Sequence, residues 1–285
     1  MKKKFGFKSF FSWKSLFRFG FLLCIAYLAF GGYFFFCDQG EWFTKPNAEP
    51  SSYRETTYEH VPMKLVASAD DPAEVHFRKY PARQGPVKGT IYYLHGNKGN
   101  MEKCESEIEI FLQKGYDVWT MDYRGFGDST GVLSENALVD DAKRVYDEII
   151  FSGVNESDIV IWGRSFGSGV AASIVAADTK PKMLVLETPY WSLPEVARSN
   201  YLILPDFLFH YQLPTHEYLS TANSECRIEL IHGTFDEKIP FSSSERLYLR
   251  CLELNLSVGR HPIMCGLHDL RPDEEFEVIV HRILR

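Results

Sequence analysis

Five short apolar runs, at Thr90–Leu94, Asp117–Met121, Ile159–Trp162, Met183–Leu186 and Ile228–Ile231, alternate with helix-like stretches at Met101–Lys114, Asn136–Phe151, Phe166–Ala177, Ser242–Leu254 and Pro272–Leu284. Strands separated by helical patterns of this length build βαβ units, because a parallel neighbour is reached only by a long crossover. The expected class is therefore α/β, with a mainly parallel central sheet flanked by helices. Two earlier runs, Met63–Ser68 and Glu74–Lys79, are expected to add antiparallel strands at the sheet edge. Gly115 closes the first helical stretch, and Pro272 with Asp273, Glu274 and Glu275 opens the last, the chemistry of a helix end and a helix start.

The third apolar run leads straight into Gly163-Arg164-Ser165-Phe166-Gly167, and an alanine-rich helical stretch follows. A lone serine between two glycines at a strand-to-helix turn is the layout of a nucleophile elbow. The turn is so tight that Gly163 and Gly167 must approach neighbouring backbone, where a Cβ would clash. Ser165 is the candidate nucleophile, lifted above the sheet. Three further segments supply what a nucleophile needs. The strand Tyr92-Tyr93-Leu94 ends in His95-Gly96-Asn97, and the backbone N–H groups of Asn97 and Phe166 are the candidate oxyanion donors. Such fixed donors stabilise charge on a reacting carbonyl, and losing one costs about 10²–10³ in rate. His95 reads as a structural residue beneath that loop. Asp236 follows the run Ile228–Ile231, where an acid holds a catalytic imidazole in one tautomer; Glu187, at the end of the preceding strand, is its rival. His268, in the loop before the terminal helix, is the candidate general base, whereas His261 lies in a strand-like run ahead of Pro262 and reads as packed.

The order Ser165, Asp236, His268 is that of the α/β-hydrolases. From about Lys64 to Leu284 the chain resembles their membrane-anchored, serine-aminopeptidase-like branch, which also holds depalmitoylase-related proteins. Asp122-Tyr123-Arg124-Gly125-Phe126-Gly127-Asp128-Ser129 and Leu186-Glu187-Thr188-Pro189 carry the resemblance beyond the three candidate residues. It implies the α/β-hydrolase fold with a short cap. It also implies a serine hydrolase acting through an acyl-enzyme but is silent on substrate; the expectation of a carboxylic ester or thioester comes from the site's nearness to the membrane. A serine peptidase is the alternative within the branch, and a non-catalytic, membrane-tethered interaction module on a retained fold is the alternative outside it.

Ahead of this region, Met1 to Arg18 carries Lys2, Lys3, Lys4, Lys8, Lys14 and Arg18 with no acidic residue, and Phe19 to Cys37 carries no charge. Nineteen helical residues span roughly 28 Å, close to the ~30 Å of a bilayer's hydrocarbon. The expected organisation is a basic cytoplasmic leader at 1–18, a transmembrane signal anchor at 19–37, a linker at 38–57 and the hydrolase domain at 58–285, with a cap insertion at about 189–221. Positive charge before the span places the catalytic domain on the periplasmic, lumenal or extracellular side. A cleaved signal peptide is the competing reading, since Ala29-Phe30-Gly31 offers a small-x-small site, but Tyr33-Phe34-Phe35-Phe36 would then lie close to an exposed new terminus. Bulky Leu23 and Phe36 precede Cys24 and Cys37 and make them poor lipidation sites.

Of 31 Lys+Arg against 38 Asp+Glu, six basic residues belong to the leader, so the remainder holds 25 against 38, a formal −13. That argues against a nucleic-acid partner. Cys104, Cys226, Cys251 and Cys265 leave room for up to two disulfides, but none has metal-ligand spacing with histidine, so no metal or other cofactor is expected. The cap segment is rich in aromatic groups, among them Tyr190, Trp191, Tyr201, Phe207, Phe209 and Tyr211. They read as packing of the cap onto the sheet, with an acyl-binding wall or a bilayer-facing surface as the functional alternative. Because the linker reaches at most about 70 Å, the site stays near the membrane, which favours a lipid-like or acyl ester substrate.

Overall fold

Eight strands form one sheet in the computed structural model, which describes residues 13–36, 45–46, 58–67, 71–200 and 205–285. They are β1 (Val61–Val66), β2 (Glu74–Tyr80), β3 (Thr90–Leu94), β4 (Asp117–Met121), β5 (Ile159–Arg164), β6 (Met183–Glu187), β7 (Arg227–Gly233) and β8 (Val258–Ile263). Their order across the sheet is β1-β2-β4-β3-β5-β6-β7-β8. β2 pairs antiparallel with both β1 and β4, and every other neighbouring pair is parallel. β3, β4 and β6 are buried along their whole length, which is why they read as unbroken apolar runs: a parallel strand is covered on both faces.

The helices are α1 (Trp13–Phe36), α2 (Glu105–Gln113), α3 (Glu135–Phe151), α4 (Phe166–Val175), α5 (Leu193–Asn200), α6 (Thr215–Tyr218), α7 (Ser242–Glu253) and α8 (Glu274–Ile283). On one face of the sheet α3, α4 and α7 bury Leu138, Val145, Val170 and Leu247. On the other, α2 and α8 bury Ile108, Phe111, Phe276 and Ile279. α3 opens on Ser134, whose hydroxyl accepts from Ala137 N at 3.2 Å, and α8 on Asp273, which accepts from Glu275 N at 2.9 Å, each satisfying an amide that the helix leaves unpaired. α2 begins at Glu105 instead of Met101. The intervening turn is held by a tertiary bond, Met101 N to the Asp122 carboxylate at 2.7 Å.

α1 starts at Trp13, six residues before the expected span, so Arg18 lies on the helix rather than in a separate leader. Its 24 residues extend roughly 36 Å, and Leu16–Tyr33 is long and apolar enough to cross a membrane. It lies against the Asp206–Leu208 turn of the cap segment. Residues 1–12, Cys37 and the expected linker lie outside the described residues, except Lys45–Pro46, which pair in parallel with Lys98–Gly99.

Between β6 and β7 the segment expected as a cap carries α5, α6 and two short 3₁₀ turns, with Tyr201–Leu204 outside the described residues. Tyr190, Phe209 and Tyr211 are buried. Tyr211 donates to Leu133 O at 2.7 Å, and Glu135 accepts from the N–H groups of Gln212 and Leu213 at 2.5 and 3.1 Å. The segment is thereby stitched to the start of α3. Cys104, Cys226, Cys251 and Cys265 are all free thiols, so the bridges their number would permit do not form.

The chain runs from β3 to β4 on one side and then to β5 on the other. The crevice at the carboxyl ends of β3 and β5 is thus the switch point where sheets of this type receive ligands.

Candidate active site

β5 ends at Arg164 and the chain turns into α4 through Ser165, at φ 51° and ψ −118°. Such a conformation is strained for a residue with a Cβ and persists only where its surroundings impose it. Here Ser165 N donates to Glu187 O at 2.8 Å. The flanking glycines remove the remaining obstacles: a Cβ on Gly163 would lie 2.4 Å from Gly167 O, and one on Gly167 would lie 2.1 Å from Leu94 O. α4 is therefore drawn against the end of β3, with Ser165 between them at the cavity wall.

Two further loops meet the serine there. His268, after β8, places Nε2 3.0 Å from Ser165 Oγ. Its Nδ1 lies 2.8 Å from Asp236 Oδ2 and 3.1 Å from Oδ1, and Asp236 follows β7. Gly233 and Gly266 allow these loops to touch, since a Cβ on Gly233 would stand 2.3 Å from Gly266 O. The Asp236 side chain is fully buried and also accepts from Lys238 N at 2.8 Å and Ile239 N at 2.9 Å. Burial by itself would raise its pKa; hydrogen bonds from His232 and then His268 outweigh that and hold the carboxyl well below the usual carboxylate range. An ionised acceptor facing Nδ1 fixes the His268 tautomer, leaving Nε2 to accept a proton from the serine.

Asn97 lies just past β3 on the wall of the same cavity. Phe166 is the first residue of α4, where backbone N–H groups have no partner within the helix. Both candidate oxyanion donors therefore flank Ser165. His95 is buried, its Nδ1 2.7 Å from Gly96 O and its ring 4.4 Å from that of Tyr123, and burial lowers its pKa. The rival residues lie elsewhere. His261 pairs with Glu229 at 2.5 Å, towards the β8 edge. Glu187 is fully buried behind the elbow, where it accepts from Trp162 Nε1 at 2.9 Å and Arg271 Nη1 at 2.6 Å, and lies 3.3 Å from Arg164 Nε. Arg164 also pairs with Glu107 and, at 3.1 Å, with Asp269, one residue past His268.

The cavity at Ser165 has a volume of about 130 Å³, and Asn97, Lys98, Lys103, Glu107 and Lys238 line it together with Ser165 and His268. No described cap residue is among its walls; Tyr190, Phe209 and Tyr211 are packed inward, whereas Phe207 is exposed. Among the described residues no cluster of three His, Cys, Asp or Glu side chains could hold a metal ion. Sequence reasoning missed His232, whose Nε2 lies 3.1 Å from Asp236 Oδ2. It stands just after the apolar run Ile228–Ile231 and four residues before Asp236, and only that spacing hinted at it. The Arg164–Glu187–Arg271 group had no sequence signal, because its members come from β5, β6 and the loop after β8.

A profile described as serine aminopeptidase, S33, matches residues 85–222. That stretch contains Asn97 and Ser165 but stops before Asp236 and His268. The lysophosphatidylserine lipase ABHD12 of Gallus gallus is 33% identical over 207 residues, covering 66% of this chain and 53% of the relative. The Bos taurus lipase of the same name is 35% identical over 178 residues, covering 55% and 44%. Among solved structures, an alpha-beta hydrolase from Vibrio vulnificus superposes with a TM-score of 0.66 at 20% identity, over 80% of this chain and 81% of that one. A Pyrococcus furiosus esterase gives 0.64 at 17%, over 85% and 95%. The chain has the α/β-hydrolase fold. The chain spans about half the length of the curated relatives it matches.

Proposed function

We propose that this chain is a serine hydrolase of lipid-like carboxylic esters, held at a membrane by α1. The observation that carries the reading is the line from Ser165 Oγ through His268 to buried Asp236, with contacts of 3.0 and 2.8 Å. In the first step His268 Nε2 takes the Ser165 proton as Oγ attacks the acyl carbonyl, and the N–H groups of Asn97 and Phe166 receive the charge that develops on its oxygen. The carbonyl reforms, the bond to the leaving alcohol breaks, and the imidazolium returns its proton to that alcohol. Water then attacks the acyl-enzyme with His268 again as base, releasing the carboxylic acid.

For the substrate, the relatives named lysophosphatidylserine lipase point to a lysophospholipid. The cavity supports a polar, anionic group on the alcohol side, since Lys98, Lys103 and Lys238 line it in an otherwise acidic domain. The Asp206–Leu208 turn, which α1 contacts, carries Phe207 at 75% exposure, in keeping with substrate drawn from the bilayer. An aminopeptidase reading fits less well. A substrate ammonium needs an available carboxylate, and Glu107, the acid on this wall, is engaged by Arg164 and Tyr93.

The test is labelling by a fluorophosphonate probe, with wild type, Ser165→Ala and His268→Ala compared in detergent, followed by turnover of lysophospholipids against neutral monoacylglycerols. Labelling lost in both variants and faster turnover of the lysophospholipids are expected. A folded wild type that neither labels nor turns over ester would favour a non-catalytic module.

A further inference from the structure

His232, on β7, aims one ring nitrogen at two acceptors: Nε2 lies 3.1 Å from Asp236 Oδ2 and 3.1 Å from Ile239 O. A nitrogen placed between a carboxylate and a carbonyl is satisfied only when it carries a proton, so the network assigns His232 the Nε2–H tautomer. The other nitrogen, Nδ1, is buried without a hydrogen-bond partner, and the ring of Phe241 stands 5.6 Å away, edge to face. A buried polar atom without a partner destabilises the fold, and an apolar side chain at this core position would avoid that loss. What His232 provides in return is its bond to Asp236.

We propose that His232 is a positioning residue that shares the Asp236 carboxylate with His268 and thereby sets the basicity of the reacting imidazole. This rests on the serine-hydrolase reading above. Two imidazoles draw on one carboxylate, and Oδ2 accepts from both. Each donor withdraws negative charge from the other's acceptor. With His232 in place, Asp236 is fixed in orientation and its pull on the His268 Nδ1–H is moderated. Without it, the carboxylate is left more basic, the imidazolium is stabilised, and the acidic limb of the pH–rate profile moves to higher pH.

The other charged groups around His268 stay constant under this perturbation. Ser165 faces it from the elbow. Glu237 accepts from the His268 backbone N–H at 3.1 Å, Lys238, Lys103 and Glu107 share its cavity, and the Arg164–Asp269 pair adjoins its loop. Facing His232 itself are Asp236, Ile239 O and Phe241.

The experiment compares wild type with His232→Phe, which removes the donor, and His232→Gln, whose terminal amide nitrogen takes the place of ring Nε2. The reading is the pH dependence of kcat/KM on p-nitrophenyl butyrate per active site, counted by fluorophosphonate stoichiometry. For His232→Phe the acidic limb should rise by about half to one pH unit, and kcat should fall on the order of tenfold with KM little changed. His232→Gln should restore the wild-type limb and most of kcat. If His232→Phe fails to fold, His232→Met fills the space without a donor and carries the same expectation. A limb that stays at the wild-type pH in the donor-less variant, whatever its kcat, overturns the proposal, because loss of packing alone would lower the count of active sites without moving it. Wild type that neither labels nor turns over ester overturns the serine-hydrolase reading itself, and the role of His232 falls with it.

Discussion

Gly167→Ala probes how the elbow and the oxyanion loop are held together. The added Cβ would sit 2.1 Å from Leu94 O, 2.6 Å from Leu94 C and 2.7 Å from His95 O, all backbone atoms that no rotamer change can move aside. Ordinary van der Waals contact begins at 3.4 Å, so α4 and the end of β3 must separate by 3.4 − 2.1 = 1.3 Å. That motion divides the site, because Phe166 N–H travels with α4 while Asn97 N–H stays with β3. Misplacement of a reacting group by about 1 Å is worth roughly 10²-fold in rate, and overpacking costs on the order of 1–3 kcal/mol. Expected, therefore, is about a 10²-fold drop in kcat/KM per active site on p-nitrophenyl butyrate, with a Tm lowered by roughly 2–12 °C at 2–4 °C per kcal/mol. Gly96→Ala is the contrast: its Cβ would meet Ser165 Cβ at 3.7 Å, an ordinary contact, and Tm should stay near that of the wild type. A Gly167→Ala protein that melts with the wild type and keeps kcat/KM within about threefold would refute the geometric argument, since a 1.3 Å separation cannot be that mild.

Two further expectations concern stability. Glu187→Leu leaves Arg164 and Arg271 without the carboxylate they share; breaking a buried ion pair from one side costs about 3–5 kcal/mol, so chemical denaturation should register a loss of that size, and an unchanged midpoint would count against it. Asp122 is pushed up to about 6 by burial, even though Met101 N and Asp128 N donate to it. The folded state then binds the proton more tightly than the unfolded chain, so this contribution to stability is present at low pH and is lost as pH rises from 3.8 to about 6. In Asp122→Asn that slope should vanish from a plot of Tm against pH, and matching slopes would sink the idea.

β3 to β7 were legible in the sequence because parallel strands buried on both faces must be apolar throughout. β1 was not placed as well: expected at Met63–Ser68, it runs over Val61–Val66 with both faces partly exposed, so its composition says little about its ends. The start of α2 was misread because the bond from Asp122 that holds Met101 comes from 21 residues away. The start of α1 was misread for a different reason. Arg18 marks where charge stops, whereas backbone hydrogen bonding continues through a basic side chain. Ser165 and Asp236 could be singled out because each stands in the first loop after an apolar run, and His268 because it stands in the loop before the terminal helix; parallel strands bring those loops together. His232 could not, since the meaning of a histidine at the end of β7 depends on which way its ring turns.

Behind the nucleophile, Arg164, Glu187 and Arg271 are bound into one unit with Trp162. In evolutionary terms, the elbow residue just before the nucleophile is not free to drift. A lineage that replaces Arg164 by a neutral side chain inherits a carboxylate with one counter-ion fewer, and must change Glu187 or keep Arg271 at all costs. Substitutions at these three positions should therefore appear together in descendants of this chain, even though Arg164 is not one of the three reacting residues.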